Sequence, residues 1–382
     1  MKVLKIDEFL RSLKQNINTP HSLLLGAGAS IESGVQSAND CIWDWKKEIF
    51  LSQNPALIEH YSNTKAENVR KNIQAWLDAQ GEYPSEGDAV EYSFYAEKAF
   101  PIEEDRTKYF QNLSKSAKPS LGYHIISCMA ELGVFKSVWT TNFDGLVEKC
   151  AHSYNIAPIS ITSDTAERFY APLVDNGILN ISLHGDYKYG RLKNTVDELD
   201  SQSEVLVKAL SHELTDRDLI VIGYSGRDDS LMSALKQVYS SSGKGRLFWC
   251  GYGQNPGQSV CELIEFANMN QRTAYYIPCN GFDETMYSIA RHCFSGDKDV
   301  LRKIEEIKTK LASVLEPVLS DYTSYKVDKI GRVIDTNLYP IIIPKNCYQF
   351  ELKYRDGEKA WDFCRIIYDK GIMAVPFNGK VF

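Results

Sequence analysis

With 382 residues and 43% hydrophobic content, the chain can bury a sizeable core, and its length fits either two domains or one large α/β domain with insertions. A formal charge of -7 gives no general attraction for a phosphate backbone, so direct nucleic-acid binding by this chain alone is not expected. Nine cysteines, an odd number with no CxxC pair, argue against both a disulfide framework and a cysteine-ligated zinc site.

Taken in chain order, the first nineteen residues, MKVLKIDEFLRSLKQNINT, mix acids and bases without a continuous apolar stretch and do not read as a secretory signal. No uncharged apolar run anywhere approaches the length a spanning helix needs, so the expectation is a cytoplasmic protein with no membrane contact. A first strand is predicted at 22–25 (SLLL). From about 44 to 120 the segments IWDWKKEIF, ENVRKNIQAWLDAQ, YSFYAEKAF and DRTKYFQNLSKS look helical with no convincing strand between them, which predicts a helical insertion. Strands then recur at 135–140 (FKSVWT), 158–162 (PISIT), 178–183 (ILNISL), 219–222 (LIVI), 246–250 (RLFWC) and 274–278 (AYYIP). Helical patterns such as GYHIISCMAELG, EVLVKALSHELTD and DSLMSALKQVYSS alternate with them. This alternation predicts βαβ units and an α/β fold, a doubly wound Rossmann-like parallel sheet covered on both faces.

The helical segment KDVLRKIEEIKTKLASVLEPVLS is expected to close a core domain spanning 1–318. Residues 319–382 form a C-terminal extension with strand-like stretches YKVDKIGRVIDT, YPIIIPKNCYQFELKY and IMAVPFNGKVF. Because the sequence stops just after one of them, the extension is expected to begin a further module, regulatory or nucleic-acid-sensing.

Four strand ends carry the chemistry. In LLLGAGASIESG an apolar strand runs into Gly26, Ala27, Gly28 and Ser30. Glycines let a backbone approach a pyrophosphate closely, and amides at the start of the following helix favour an anion, although the same turn also serves as a packing device. The dehydrogenase fingerprint would place a third glycine where Ile31 stands, which weighs against hydride transfer. In VWTTNFDGLVE, Thr140, Thr141, Asn142 and Asp144 fall at the carboxyl end of a strand, where doubly wound sheets hold ligands. The alternative there is an Asx-turn in which Asp144 caps the helix beginning near Gly145. ISLHGDYKYG places His184, Gly185 and Asp186 after another strand, and a single histidine has a structural reading as well. LIVIGYSGRDDSLMSAL ends its strand in Gly223, Ser225, Gly226, Arg227 and Asp228, where amides and Ser225 suit phosphate or ribose oxygens. Arg227 and Asp228 have the plainer alternatives of pairing with each other or capping the helix.

This ordered set resembles the sirtuin superfamily, whose members carry a GAGxS turn, an N-x-D segment, a catalytic HG and a G-x-S loop in that order. Sirtuin deacylases also bear a four-cysteine zinc module between the HG and G-x-S motifs, whereas the span from Gly185 to Ile222 contains no cysteine. Their first motif continues with Pro-Asp-Phe-Arg where this chain reads Gln36-Ser37-Ala38-Asn39, and TTN stands in place of their usual QN. The set is most similar to the zinc-less sirtuin-like domains of bacterial anti-phage defence proteins, which hydrolyse NAD and share GAGAS, TTNFD, LHGD and GYSGRD.

That resemblance implies NAD as substrate, no zinc, and cleavage to nicotinamide and ADP-ribose, with cyclisation as an alternative outcome. It assigns Asn142 to the nicotinamide ribose and the attacking water, Asp144 to the carboxamide edge or the developing positive charge, and His184 to general-base catalysis. Gly26, Ala27, Gly28, Ser30, Thr141, Asp186, Gly223, Ser225, Arg227 and Asp228 become the dinucleotide-binding set, with Asp186 also able to orient His184. Competing functions are an NAD-dependent protein deacylase and a non-catalytic sensor of NAD or an ADP-ribose signal. Because unregulated NAD loss would be toxic, activity is expected to depend on homo-oligomerisation or on a regulatory partner or C-terminal module.

Overall fold

The computed structural model describes residues 1–61, 63–64, 66–88, 90–183, 185–186, 191–192, 204–315, 376–377 and 380–381. The chain divides into two compact units, Met1–Val314 and Leu315–Phe382. In the second, the described backbone is the antiparallel pairing of Pro376–Phe377 with Lys380–Val381. The strand-like stretches YKVDKIGRVIDT and YPIIIPKNCYQFELKY lie outside the described residues.

The first unit is an α/β fold built on a seven-stranded parallel sheet. Its strands are β1 (His21–Leu25), β2 (Phe135–Thr140), β3 (Ala157–Ile161), β4 (Gly177–Ser182), β7 (Leu219–Ile222), β8 (Leu247–Tyr252) and β9 (Ala274–Cys279), in the order β3-β4-β2-β1-β7-β8-β9. The labels β5 (Gly185–Asp186) and β6 (Arg191–Leu192) belong to a short antiparallel pair outside this sheet. All seven strands coincide, within a residue or two, with the apolar runs read from the sequence. The runs at β1 and β7, near the middle of the sheet, are almost wholly apolar because the sheet is covered on both faces there. Leu23 and Leu25 pack into one core cluster with the helices Leu121–Glu131 and Phe282–Cys293, while Leu24 joins the opposite cluster with Glu204–Leu214, Asp229–Ser240 and Gln258–Met269.

β1 is the pivot of the topology. From it the chain adds β2 on one side, passes to β3 at the edge, returns to insert β4 between β3 and β2, then crosses back to place β7 on the other side of β1. Register is continuous across this centre, with Leu25 beside both Thr140 and Ile222. The order of strands therefore reverses at β1, and the loops after β1, β2 and β7 leave the same sheet edge together. Open α/β sheets bind ligands at such a switch point.

The insertion forms its own apolar cluster from helices Ala38–Gln53, Glu67–Gln80, Glu91–Ala99 and Glu103–Lys115. The first begins at Ala38 because the Ser37 hydroxyl accepts the Asp40 N–H at 3.1 Å, an N-cap. Lys46 is fully buried in this cluster, where its Nζ donates to Gln74 Oε1 at 2.7 Å, pairs with Glu91 and lies 4.5 Å from the Trp43 ring. A buried cation is tolerated only when so partnered. The other Glu91 oxygen accepts the Gly87 N–H at 2.7 Å, which ties the turn before Asp88 to the same charge pair.

Polar groups are also buried at the opposite edge of the sheet. Glu213 there accepts from Ser22 Oγ at 2.7 Å and Trp139 Nε1 at 2.9 Å, and also from Ser137 and Arg217. His21, fully buried, has its Nδ1 3.6 Å from Asp218. Burial pushes the His21 pKa below its ordinary value, against the opposing pull of Asp218. The unfolded chain therefore takes up a proton near pH 6.5 that the native state refuses, so this contribution is present above that pH and is lost as pH falls through the depressed folded value. In His21→Gln the thermal stability should fall less steeply below pH 6.5 than in the wild type, by up to about 1.4 kcal/mol per pH unit. Parallel melting curves at pH 7.5 and 5.5 check this, and identical slopes would remove His21 from the acid sensitivity.

Candidate functional site

The three loops at the switch point are held together by backbone. After β1, the Gly26 N–H donates to Ile222 O at 3.1 Å and the Gly28 N–H to Gly223 O at 2.8 Å. A Cβ on Gly26 would lie 2.5 Å from Tyr224 Cα, and one on Gly28 would lie 2.9 Å from Gly223 Cα. Gly223, at φ +72°, has the left-handed backbone that glycine favours. These glycines thus let two loops interlock, and the Gly26 and Gly28 amides are spent on that contact. Ala27, exposed beside them, has an N–H that donates to none of the described residues.

After β2, the Thr140 hydroxyl donates to Leu25 O at 3.2 Å and accepts the Asn142 N–H at 3.0 Å, while the Thr141 N–H donates to Leu25 O at 3.1 Å. This strap turns the chain so that Asn142 reaches back to the first loop. Its Nδ2 donates to Gly26 O at 2.9 Å and to Ser30 Oγ at 3.0 Å. Both amide hydrogens are committed, and Oδ1 is left as an acceptor without a partner among the described residues.

Asp144 is buried beneath them. Its Oδ2 accepts the Ser30 hydroxyl at 2.5 Å and its Oδ1 the Leu146 N–H at 3.0 Å. It therefore makes the Asx-turn that starts the helix Leu146–Ala151, and at the same time anchors the side chain that holds Asn142. Burial raises the Asp144 pKa, while the bonds from Ser30 and Leu146 pull it back.

After β7, Asp228 caps the helix Asp229–Ser240, accepting the Ser230 and Leu231 N–H groups at 3.0 and 3.1 Å. Of the two plain alternatives for the Arg227–Asp228 pair, the cap is the one observed. Arg227 is exposed, and so is Ser225 beside it.

A cleft of about 410 Å³ joins these groups, lined by Ala27, Gly28, Ser30, Thr141, Asn142 and Asp144, and by Gly223, Ser225, Arg227 and Asp228 across from them. That volume is within the range of small-molecule sites. Ten of the sequence-derived candidates therefore share one cavity, and Gly26 lies directly behind it. His184 is outside the described residues. Leu183, whose N–H donates to Thr140 O at 2.9 Å, carries the chain to the carboxyl end of β2 immediately before it. Gly185 and Asp186 pair in backbone with Leu192 and Arg191.

The far wall comes from the insertion, through residues including Asp88, Tyr92, Phe110 and Leu113. Phe143 of the TTNFD loop packs 5.0 Å from Phe110, so the motif bridges sheet and insertion. Strand-end reasoning could not find this wall, because the insertion helices lie far from the motifs in sequence. The aromatic at 143, between two polar motif residues, was the available signal.

Residues 136–271 match the SIR2-like domain family. The matched stretch covers under half of the chain. It takes in the TTNFD, LHGD and GYSGRD segments, whereas the GAGAS turn and the insertion precede it. Among curated proteins the chain is similar to the NAD(+) hydrolase ThsA of Bacillus cereus (strain MSX-D12), 26% identical over 107 residues. That alignment covers 27% of this chain and 22% of the relative, so the chain spans under a quarter of that protein's length in the match. No helix among the described residues is long and apolar enough to cross a membrane.

Proposed function

We propose that the chain binds NAD in the switch-point cleft and hydrolyses it to nicotinamide and ADP-ribose. The observation that carries this reading is the Asn142 carboxamide, fixed by two donated hydrogen bonds with its Oδ1 free to accept a sugar hydroxyl or a water. The SIR2-like match and the likeness to an NAD(+) hydrolase support it. In the reaction the ribose C1′–N bond breaks and its electron pair leaves with nicotinamide, which departs neutral from a cationic ring. The barrier lies in an oxocarbenium-like ribose, so the protein needs to hold the sugar and deliver water rather than protonate a leaving group. Asn142 orients the ribose and the water. His184 takes the proton that water loses on adding to C1′, a task suited to a side chain whose ordinary pKa is near 6.5. Arg227, Ser225 and the Ala27 amide face the pyrophosphate.

We extend the proposal to an NAD-depleting role in anti-phage defence, with activity switched on by self-association or a partner. The deciding assay follows nicotinamide release with NAD as sole substrate, across protein concentration, with and without an acetylated peptide. Peptide-independent release that rises more steeply than protein concentration is the expected result. His184→Ala should keep the fold and lose release at least about 100-fold. Release only with the peptide would make the chain a deacylase, and tight NAD binding without release at any concentration would make it a sensor.

A further inference from the structure

We infer that Tyr123 is a positioning residue that fixes the Asn142 carboxamide through Ser30. Tyr123 belongs to none of the strand-end motifs. It sits one turn into the helix Leu121–Glu131, is 1% exposed, and places its hydroxyl 2.9 Å from Ser30 Oγ.

The polarity of the network follows from counting hydrogens. Ser30 owns one hydroxyl proton, and it goes to the Asp144 carboxylate at 2.5 Å. Its oxygen can then only accept, and it receives the Tyr123 O–H and the Asn142 Nδ2–H. With all three positions around Ser30 Oγ filled, that hydroxyl has no proton to offer Asn142. A flipped carboxamide would point its oxygen at the Gly26 carbonyl and at a saturated Ser30, so Nδ2 stays inward and Oδ1 stays toward the cleft. Without the Tyr123 hydroxyl, Ser30 regains a free lone pair and freedom to rotate, and the grip on Asn142 loosens.

Tyr123 is itself held rigidly. Asp283 pins the start of its helix by accepting the Ser120 hydroxyl at 2.7 Å and the Leu121 and Gly122 N–H groups at 3.0 and 2.7 Å. Its ring packs 5.0 Å from Phe282, an approach that Gly122 permits, since a Cβ there would lie 2.4 Å from the Phe282 ring. Burial holds the phenol well above its ordinary pKa, reinforced by Asp144, so it remains a donor throughout the physiological range. Supporting a site from regular elements in this way keeps its geometry tight.

The inference rests on the reading of the cleft as a dinucleotide site, and its test separates the two. Tyr123→Phe keeps the ring and its packing while removing the hydroxyl. ADP-ribose carries the distal ribose that Asn142 would hold, and ADP does not. Titration calorimetry of the full chain should show ADP-ribose affinity reduced about fivefold in Tyr123→Phe, the worth of one hydrogen bond, with ADP affinity unchanged. In a Ser30→Ala background the same substitution should have no further effect, because both act through one network. Unchanged ADP-ribose affinity, or equal losses for ADP-ribose and ADP, would overturn the positioning role. A wild-type chain that binds ADP-ribose in this Tyr123-dependent way yet never releases nicotinamide would sink the hydrolase reading and uphold the inference. Binding of neither ligand by the wild type would end both.

Discussion

Asn142→Ala is expected to lower nicotinamide release at least about 100-fold, the scale on which single preorganised polar groups act on a developing charge. The side chain works in two directions. Toward the protein, Nδ2 ties the β2 loop to Gly26 and Ser30, so its removal also costs about 1 kcal/mol of stability through the partners it strands. Toward the cleft, Oδ1 is the acceptor proposed to orient sugar and water, so the loss of turnover should far exceed the loss of fold. Asn142→Asp separates these contributions. It keeps an acceptor in place but sets a second carboxylate beside the buried Asp144, and it replaces two donated hydrogen bonds with repulsion from the Gly26 carbonyl. Both variants should therefore be inactive, with the aspartate the less stable. Release measured beside a melting curve checks the pair, and wild-type turnover in Asn142→Ala would remove the residue from the chemistry.

The sheet was legible because its central strands are buried on two faces. SLLL at 22–25 and LIVI at 219–222 are apolar nearly throughout, and the structure ends both where small and polar residues begin. The candidate residues were legible for a related reason, since small and polar groups gathered after each such run mark one sheet edge. What the sequence hid was the division of labour within the motifs. Asp144 reads either as a ligand-facing carboxylate or as an Asx-turn cap, and although it lines the cleft it is buried, with its two oxygens engaged by Ser30 and Leu146. Tyr123 was read only as part of an apolar helix, GYHIISCMAELG, because a tyrosine in such a run gives no sign of where its hydroxyl goes. The helix Ile6–Gln15 escaped notice for a different reason. It buries only the stripe of Phe9, Leu10 and Leu13, and its charged remainder masks the pattern.

The second large effect is structural, and it tests why the first motif is glycine-rich. A glycine that clears space for a pyrophosphate and one that clears space for a neighbouring loop look alike in sequence. Here a Cβ on Gly26 would stand 2.5 Å from Tyr224 Cα and 2.6 Å from Gly223 O, against backbone that cannot rotate away. Gly26→Ala should therefore part the β1 and β7 loops, breaking the Gly26–Ile222 and Gly28–Gly223 hydrogen bonds. The expected cost is about 3 kcal/mol, at the upper end for overpacking, with nucleotide binding lost alongside. Gly34→Ala is the control from the same turn. It has φ +86° but nothing within 4 Å of a Cβ, so it should show only the cost of a left-handed alanine, about 1 kcal/mol. Thermal midpoints for both variants decide the matter. If Gly26→Ala melts with the wild type and loses only nucleotide affinity, the glycine serves the phosphate. If its midpoint falls well below that of Gly34→Ala, the loops hold each other first, and the pocket is a consequence of how they interlock.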